Sequence, residues 1–253
     1  MFQEKLGNYI DFNRYQFHIT HLFTPFLPII AMSYVLMAGG GDQWLAESIY
    51  RMQGHEWQMV DNWFASTILH RGGKIASILA AITVFCLYSL SFLKCPPYIR
   101  LWRTPLCYLL LTIIASVVAI NSLKSLTNMD CPWSLVDYGG DRPFVGLFET
   151  RPPGLGRGKC FPAGHASAGY AWISLYFFFL MVKPSYRWLG LAIGILSGLI
   201  FGLTQQFRGA HFASHDLWSL AICWYISALM YTFFSKFESH PRSHYCEKQL
   251  YQA

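Results

Sequence analysis

One histidine of this sequence lies among very small residues, at the point where a long apolar run begins. The stretch CFPAGHASAGYAW, residues 160–172, contains His165 directly after Gly164. Small residues let membrane helices pack closely. A helix start among basic residues can also bind an anion through its free backbone N–H groups. The stretch therefore predicts either a tightly packed helix or an anion-binding site at Gly164.

A second group of ionisable residues lies at the end of another apolar run. The stretch GLTQQFRGAHFASHDLWSL, residues 202–220, contains Arg208, His211, His215 and Asp216. Such groups are costly to bury at a membrane boundary, so they usually have a function. On one continuous helix, Arg208, His211 and His215 would share a face. Gly209 leaves a turn between two helices as the alternative.

Two histidines near lysines and arginines are suited to phosphoryl transfer. One imidazole can attack phosphorus while the other protonates the leaving oxygen, and cations stabilise the charge of the transition state. The segment before His165 supplies cations, namely Lys124, Arg142, Arg151, Arg157 and Lys159. This chemistry requires a fold that brings both histidines and the cations to one place.

The elements that must position these residues are membrane helices. Of the 253 residues, 54% are hydrophobic and 13% charged, whereas soluble domains carry about 25% charged residues. Six apolar stretches can span a bilayer, at about 22–39, 75–93, 105–123, 166–182, 188–207 and 216–235. We expect an all-α polytopic membrane protein, with a retained first helix and one integral domain over 1–253. The net charge of +6 is spread without long basic runs, so nucleic acid is not an expected partner.

The distribution of lysine and arginine predicts the orientation in the membrane. One side receives four basic segments, with Lys5, Arg14, Lys94, Arg100, Arg103, Lys183, Arg187, Lys236, Arg242 and Lys248. The positive-inside rule makes that side cytoplasmic, together with both termini. Segments 40–74, 124–165 and 208–215 then face the periplasm or the outside of a bacterial inner (plasma) membrane. Both His165 and His211 fall on this outer side, which favours a shared site.

Two of the outer segments have distinct compositions. Residues 41–64 alternate aromatic and polar positions, which predicts one or two short amphipathic helices at the interface. Residues 124–165 are rich in glycine and proline and predict a structured loop between the third and fourth membrane helices. Cys131 and Cys160 both lie in this loop. A disulfide between them and two free thiols are both open possibilities.

These motifs resemble the signatures of the type 2 phosphatidic acid phosphatase superfamily. CFPAGHASAG is similar to its second signature, Pro-Ser-Gly-His. GLTQQFRGAHFASHD is similar to its third, in which Ser-Arg, five residues, a histidine, three residues and an aspartate follow one another. Lys124 and the pair Arg142-Pro143 resemble its first, a lysine six residues before Arg-Pro. The likeness covers residues 124–235, and the six-helix plan matches the integral members.

The resemblance implies a metal-independent phosphatase or phosphotransferase, without a cofactor, that works through a phosphohistidine. In that case His211 is the nucleophile and His165 the general acid. The substrate-binding residues are then Lys124, Arg142, Arg208, Gly164 and Gln205. The expected partners are the bilayer and a lipid phosphate, such as phosphatidic acid, phosphatidylglycerol phosphate, a polyprenyl diphosphate or a lipid A type glycolipid; the sequence does not predict an oligomeric state.

The sequence departs from the family pattern at four places. Ala163 stands where the signature has serine, and Gln205 where the third signature has arginine. His215 occupies the position of the aspartate, so either His215 or the adjacent Asp216 orients His211. Seventeen residues separate Lys124 from Arg142, which leaves the pair Arg151-Pro152 as an alternative for the first signature.

Three other functions are compatible with parts of this pattern. A rhomboid-like intramembrane protease would use Ser167 as nucleophile and His211 or His215 as base, but gives the loop cations no role. A noncatalytic scaffold would use the histidines as hydrogen-bonding groups between helices. Vanadium-dependent haloperoxidases, whose pocket is similar, are larger and soluble, which the six apolar runs argue against.

Overall fold

The structure, a computed structural model, describes residues 15–93 and 102–238. Within these ranges, six helices are long and apolar enough to cross a membrane: α1 (Tyr15–Ala38), α3 (Phe64–Leu90), α4 (Arg103–Thr127), α5 (Gly164–Val182), α6 (Arg187–Phe207) and α7 (Ala213–Glu238). A shorter helix, α2 (Gly41–Met52), joins α1 to α3. The predicted all-α, six-span architecture is confirmed. Several residues used to predict the orientation lie outside the described ranges, namely Lys5, Arg14, Lys94, Arg100, Arg242 and Lys248.

Helix α3 begins at Phe64, well before the predicted start near residue 75. Its first part, Phe64–Gly72 with the sequence FASTILHRG, is a π-helix. His70, Arg71 and Lys74 lower the hydropathy of this part, so that composition alone assigned it to a loop. The earlier start carries His70 and Lys74 into the membrane-spanning helix.

Helix α2 is the amphipathic helix predicted within residues 41–64. It buries Asp42 and Ala46 and exposes Trp44 and Met52. No second short helix lies between α2 and α3: residues 53–62 form turns and bends.

Segment 41–64 also holds the ends of α6 and α7. The buried Asp42 carboxylate accepts a hydrogen bond at 2.9 Å from the backbone N–H of Ser214, in the first turn of α7. The Gln53 amide donates at 2.9 Å to the carbonyl of Phe207, the last residue of α6. These bonds satisfy helix-end groups that have no partner within their own helix.

Helices α5 and α6 pack at the distance of backbone contact. Gly190, Gly194, Gly198 and Gly202 recur every fourth residue along α6 and are all buried. A Cβ atom added at Gly198 would lie 2.0 Å from the Tyr170 ring, and one at Gly194 would lie 2.3 Å from the Ile173 nitrogen. Only glycine allows this approach, as in other small-residue interfaces between membrane helices. The start of α5 and the end of α6 are thereby fixed together.

The loop between α4 and α5 is held by a covalent and an ionic link. Cys131 and Cys160 form a disulfide with Cα atoms 5.3 Å apart. The buried Asp130 carboxylate forms ion pairs of 2.7 Å with both Arg142 and Arg151. The predicted structured loop is therefore closed at its base, next to α5.

Candidate active site

A cavity of about 620 Å³ opens between α3, α4, α5 and the turn that joins α6 to α7. Five residues predicted from the sequence line it together, namely Lys124, Gly164, His165, Gln205 and His211. His70, Lys74 and Lys159 add further basic groups, and none of the described aspartates or glutamates lines the cavity. The polar end of the cavity is therefore suited to an anion.

His211 lies in a turn, because the helix does not continue past Phe207. Gly209 adopts φ +67°, in the left-handed region, and a Cβ atom there would lie 2.4 Å from the Trp57 ring. Helix α7 then starts at Ala213. Of the two local structures that the sequence allowed, the structure thus has the interhelical turn.

The partner of the His211 ring is His215. The two Nδ1 atoms are 3.4 Å apart, so one ring donates and the other accepts, and the His215 side chain is fully buried. Asp216 faces α6, where its Oδ2 accepts a 2.5 Å hydrogen bond from the Gln206 amide. The structure therefore places His215, in the register of the family aspartate, against His211, and pairs Asp216 elsewhere.

The surroundings of His211 favour its neutral form. Burial lowers the pKa of the His211 imidazole well below its ordinary value, and the nearby His215 ring and Lys124 ammonium lower the pKa further. A neutral imidazole has a free lone pair, which a nucleophile requires. The His211 ring is therefore expected to be neutral at neutral pH.

Lys124 lies over the first turn of α5. A Cβ atom added at Gly164 would be 3.2 Å from the Lys124 Nζ, so glycine leaves room for the ammonium. The first backbone bond of α5 joins the Ser167 N–H to the Ala163 carbonyl at 3.1 Å. The N–H groups of the residues between them have no acceptor within the helix. An anion placed here would meet a cation and a helix N-terminus at once.

Gln205 places an amide in the cavity wall where the family signature has arginine. Its side chain is 3% exposed, and its Nε2 is buried with no hydrogen-bond acceptor in the described part of the chain. Its Oε1 accepts a 3.3 Å hydrogen bond from Arg208 Nη1. Arg208 does not line the cavity; it also donates at 3.4 Å to the Val60 carbonyl. Arg208 thus orients Gln205, whose N–H group is free for a ligand.

Arg142 and Arg151, the two candidates for the first signature, do not line the cavity. Arg142 bonds Asp130 and the Gly156 carbonyl, and Arg151 bonds Asp130 and the Asn128 carbonyl. A buried carboxylate needs opposite charge, and Asp130 takes both guanidinium groups. The prediction that Arg142 reaches the site therefore needs correction, since its contacts stabilise the loop.

His165 contacts a residue that the sequence analysis had assigned to a loop. Its Nε2 lies 2.9 Å from the His70 carbonyl oxygen, and the two rings stack with centroids 4.0 Å apart and an angle of 19°. His70 and Lys74 are four residues apart, on one face of α3. Both residues could have been identified as site candidates if this ionisable pair had been assigned to a membrane helix.

A family model described as the PAP2 superfamily matches residues 105–239, more than half of the chain. The chain belongs to the PAP2 superfamily. Membership supports a phosphatase or phosphotransferase activity on a phosphate-bearing substrate, and the six apolar helices indicate a bilayer environment. No curated protein and no solved structure matches the chain. The matched region contains Lys124, His165 and His211, whereas α3 lies outside it.

Ser167, the nucleophile of the rhomboid-like alternative, forms a hydrogen bond with the backbone in this PAP2 chain. Its hydroxyl donates to the Gly164 carbonyl at 2.7 Å, as is common for serine within a helix. Because its one hydroxyl hydrogen is donated to this carbonyl, Ser167 does not donate to a histidine of the described chain, which is the contact that activates the nucleophile of a serine protease.

The cavity continues away from its basic end as an apolar cleft between α3 and α4. Ile78 and Ala81 line it from α3, and Ile113 and Val117 from α4. Asn121 lies between this part and Lys124. One continuous cavity therefore offers a charged end and an apolar remainder, as an amphiphilic ligand requires. Among residues 15–93 and 102–238 there is no group of three or more histidine, cysteine, aspartate or glutamate residues placed to hold a metal ion.

Proposed function

We propose that this chain is an integral membrane lipid phosphatase that hydrolyses a phosphate monoester or diphosphate of a lipid through a phosphohistidine on His211. The observation that carries the proposal is the single cavity that combines His211, His165 and Lys124 with an apolar cleft. The headgroup phosphate binds at the basic end, and the acyl or prenyl chain lies between α3 and α4.

The nucleophile in this mechanism is His211, through Nε2. Its Nδ1 faces His215, which holds the ring in place of the family aspartate. As the N–P bond forms, the bond from phosphorus to the leaving oxygen breaks, and His165 protonates that oxygen. Water then attacks the phosphohistidine, His165 takes the water proton, and phosphate leaves.

The phosphate oxygens are held by groups at the start of α5 and the end of α6. Lys124 supplies a positive charge, the first turn of α5 supplies backbone N–H groups, and Gln205 supplies an amide N–H. Donors placed in advance at a water-poor site stabilise the developing charge most effectively. These side chains perform the role that a metal ion has in other phosphatases, and we propose a metal-independent reaction.

The proposal also covers which lipid is the substrate and which molecule accepts the phosphoryl group. Phosphatidic acid, phosphatidylglycerol phosphate, polyprenyl diphosphates and lipid A type phosphates all combine a phosphate with a long apolar chain. The same phosphohistidine would also serve a phosphotransferase with an acceptor other than water. We place the site on the outer face of the plasma membrane, in agreement with the charge distribution.

Phosphate release from a panel of these lipids by the purified protein tests the proposal. His211→Ala and His165→Ala should each lower turnover strongly, by about 10³-fold or more for the nucleophile. His55→Asn is the matched control, because His55 is exposed, adopts φ 61° and lies outside the cavity. Asparagine tolerates that backbone conformation. Unchanged turnover in His211→Ala would refute the mechanism.

A further inference from the structure

Two different contacts from α3 hold the ring of His165. The first is a 2.9 Å hydrogen bond between His165 Nε2 and the His70 carbonyl oxygen. The second is the stack of the His70 ring on the His165 ring at 4.0 Å. The Phe201 ring of α6 lies 5.9 Å away from the His165 ring. Both the position and the plane of the imidazole are therefore set by neighbours.

The local structure of α3 explains why His70 reaches His165. The segment Phe64–Gly72 is π-helical, and such turns often occur at functional sites. Directly after it, a Cβ atom at Gly73 would lie 2.4 Å from the Phe201 ring. Helix α3 thus comes close to Phe201 of α6 at Gly73, three residues after His70, and the His165 ring lies beside the same Phe201 ring.

The contact with a carbonyl determines which nitrogen of His165 does the chemistry. A carbonyl oxygen only accepts, so the hydrogen of this bond is on Nε2. Nδ1 is then the atom that exchanges a proton in the cavity. An acceptor on one ring nitrogen fixes the tautomer of a catalytic histidine in the same way in a Ser-His-Asp triad.

We propose that His70 is the positioning residue of the general acid, a role that rests on the function proposed above. Its carbonyl anchors Nε2–H of His165, and its ring fixes the plane of the imidazole. In the first step His165 is an imidazolium with hydrogens on both ring nitrogens, and its Nδ1 proton passes to the leaving oxygen as the P–O bond breaks, which leaves the neutral ring with its hydrogen on Nε2. In the second step water attacks the phosphohistidine, the N–P bond breaks, and the water proton returns to Nδ1.

Comparing esters whose leaving groups differ in their need for a proton tests this role of His70. An alkoxide needs a proton as it leaves, and general acid catalysis contributes about 10²–10⁴-fold in such steps. A p-nitrophenolate leaves without one. Disturbing His165 through His70 must therefore slow a lipid phosphate much more than p-nitrophenyl phosphate, whereas general damage to the site slows both alike.

The experiment measures kcat/KM, which reports the steps up to cleavage of the P–O bond and excludes the hydrolysis that both esters share, for His70→Ala and His70→Phe in detergent, with folding followed by thermal unfolding. His70→Ala should lower kcat/KM for the lipid phosphate by about 10- to 100-fold and for p-nitrophenyl phosphate by about 3-fold at most. Every variant keeps the backbone carbonyl of residue 70, and His70→Phe also keeps a flat ring to stack on His165, so most of the loss should be recovered. Thr83→Ala, an exposed change on the same helix, is the control. If His70→Ala does not fold, His70→Leu keeps the volume without the flat ring and replaces it.

Added to His165→Ala, the His70→Ala change should cause no further loss for the lipid phosphate, because both act through one ring. Equal losses for the two esters, or no loss for either, would overturn the proposal. A wild-type protein that cleaves neither ester would refute the proposed function itself, a result distinct from both of these.

Discussion

Replacing His215 by aspartate tests which residue faces the nucleophile. His215 Nδ1 lies 3.4 Å from His211 Nδ1 in a buried site. Attack of His211 on the phosphate requires a neutral ring, so kcat/KM falls as the pH drops through the pKa of His211. Because that pKa lies well below its ordinary value of 6.5, the acid limb of the wild-type profile should lie below pH 6.5.

The size of the change follows from the charge that is introduced. An opposite charge within about 4–6 Å shifts a pKa by about 1–3 units. A carboxylate at position 215 favours the imidazolium of His211, so its pKa rises and the acid limb moves to higher pH by about that amount. His215→Asn, of similar size but uncharged, should leave the limb close to the wild-type position.

The assay is the pH profile of kcat/KM for one phosphate ester, measured for wild type, His215→Asp and His215→Asn. Thermal unfolding in detergent shows that each variant is folded. A limb at the same pH in the Asp and Asn variants would refute the placement of His215 beside His211.

Three further predictions follow from the contacts of single residues. Gln205→Ala removes an N–H donor with no protein acceptor, so kcat should fall by about 10²-fold in phosphate-release kinetics, while the unfolding temperature stays close to wild type. Asp42→Ala removes the acceptor that caps α7, which should cost about 0.5–2 kcal/mol of stability in denaturant unfolding; Asp42→Asn keeps an acceptor oxygen and should cost less. Arg142→Ala breaks a pair with the buried Asp130, so thermal stability should fall while KM changes by less than about 3-fold, since only contacts with the substrate contribute uniform binding.

Each of these has a result that contradicts it. Full activity of Gln205→Ala would show that the amide does not meet the phosphate. Equal stability of Asp42→Ala and wild type would show that the Asp42 carboxylate does not stabilise the start of α7. A large rise in KM for Arg142→Ala would show that this arginine contacts the substrate. Addition of EDTA to the wild-type protein should leave turnover unchanged and vanadate should inhibit it; loss of activity with EDTA would contradict the metal-independent proposal.

The membrane helices and the meeting of His165 with His211 could be predicted from the sequence. Apolar runs define the spans, and their even number between the two histidines puts both at one end of the bundle. The start of α3 could not be found this way, because His70 and Lys74 interrupt the apolar pattern while the π-helical segment still folds as part of the span. The contact between His70 and His165 was missed for that reason.

Other details depend on packing that no local pattern reveals. His215 and Asp216 are neighbours that point about 100° apart on α7, and the turn at Gly209 decides which one meets His211. In the sequence, the arginines of the loop have no evident partner. In the structure, Arg142 and Arg151 both form ion pairs with the buried Asp130. Resemblance to the family signatures pointed to His165 and His211, which line one cavity, whereas the ion pairs depend on the fold of this loop.

The phosphohistidine on His211 is the central claim, and rapid quenching with a phosphorus-labelled lipid phosphate tests it most directly. Mass spectrometry of the quenched protein should find an acid-labile, alkali-stable phosphate on the peptide that contains His211, and none in His211→Ala. Turnover with no labelled protein, or a label on a different residue, would contradict the mechanism.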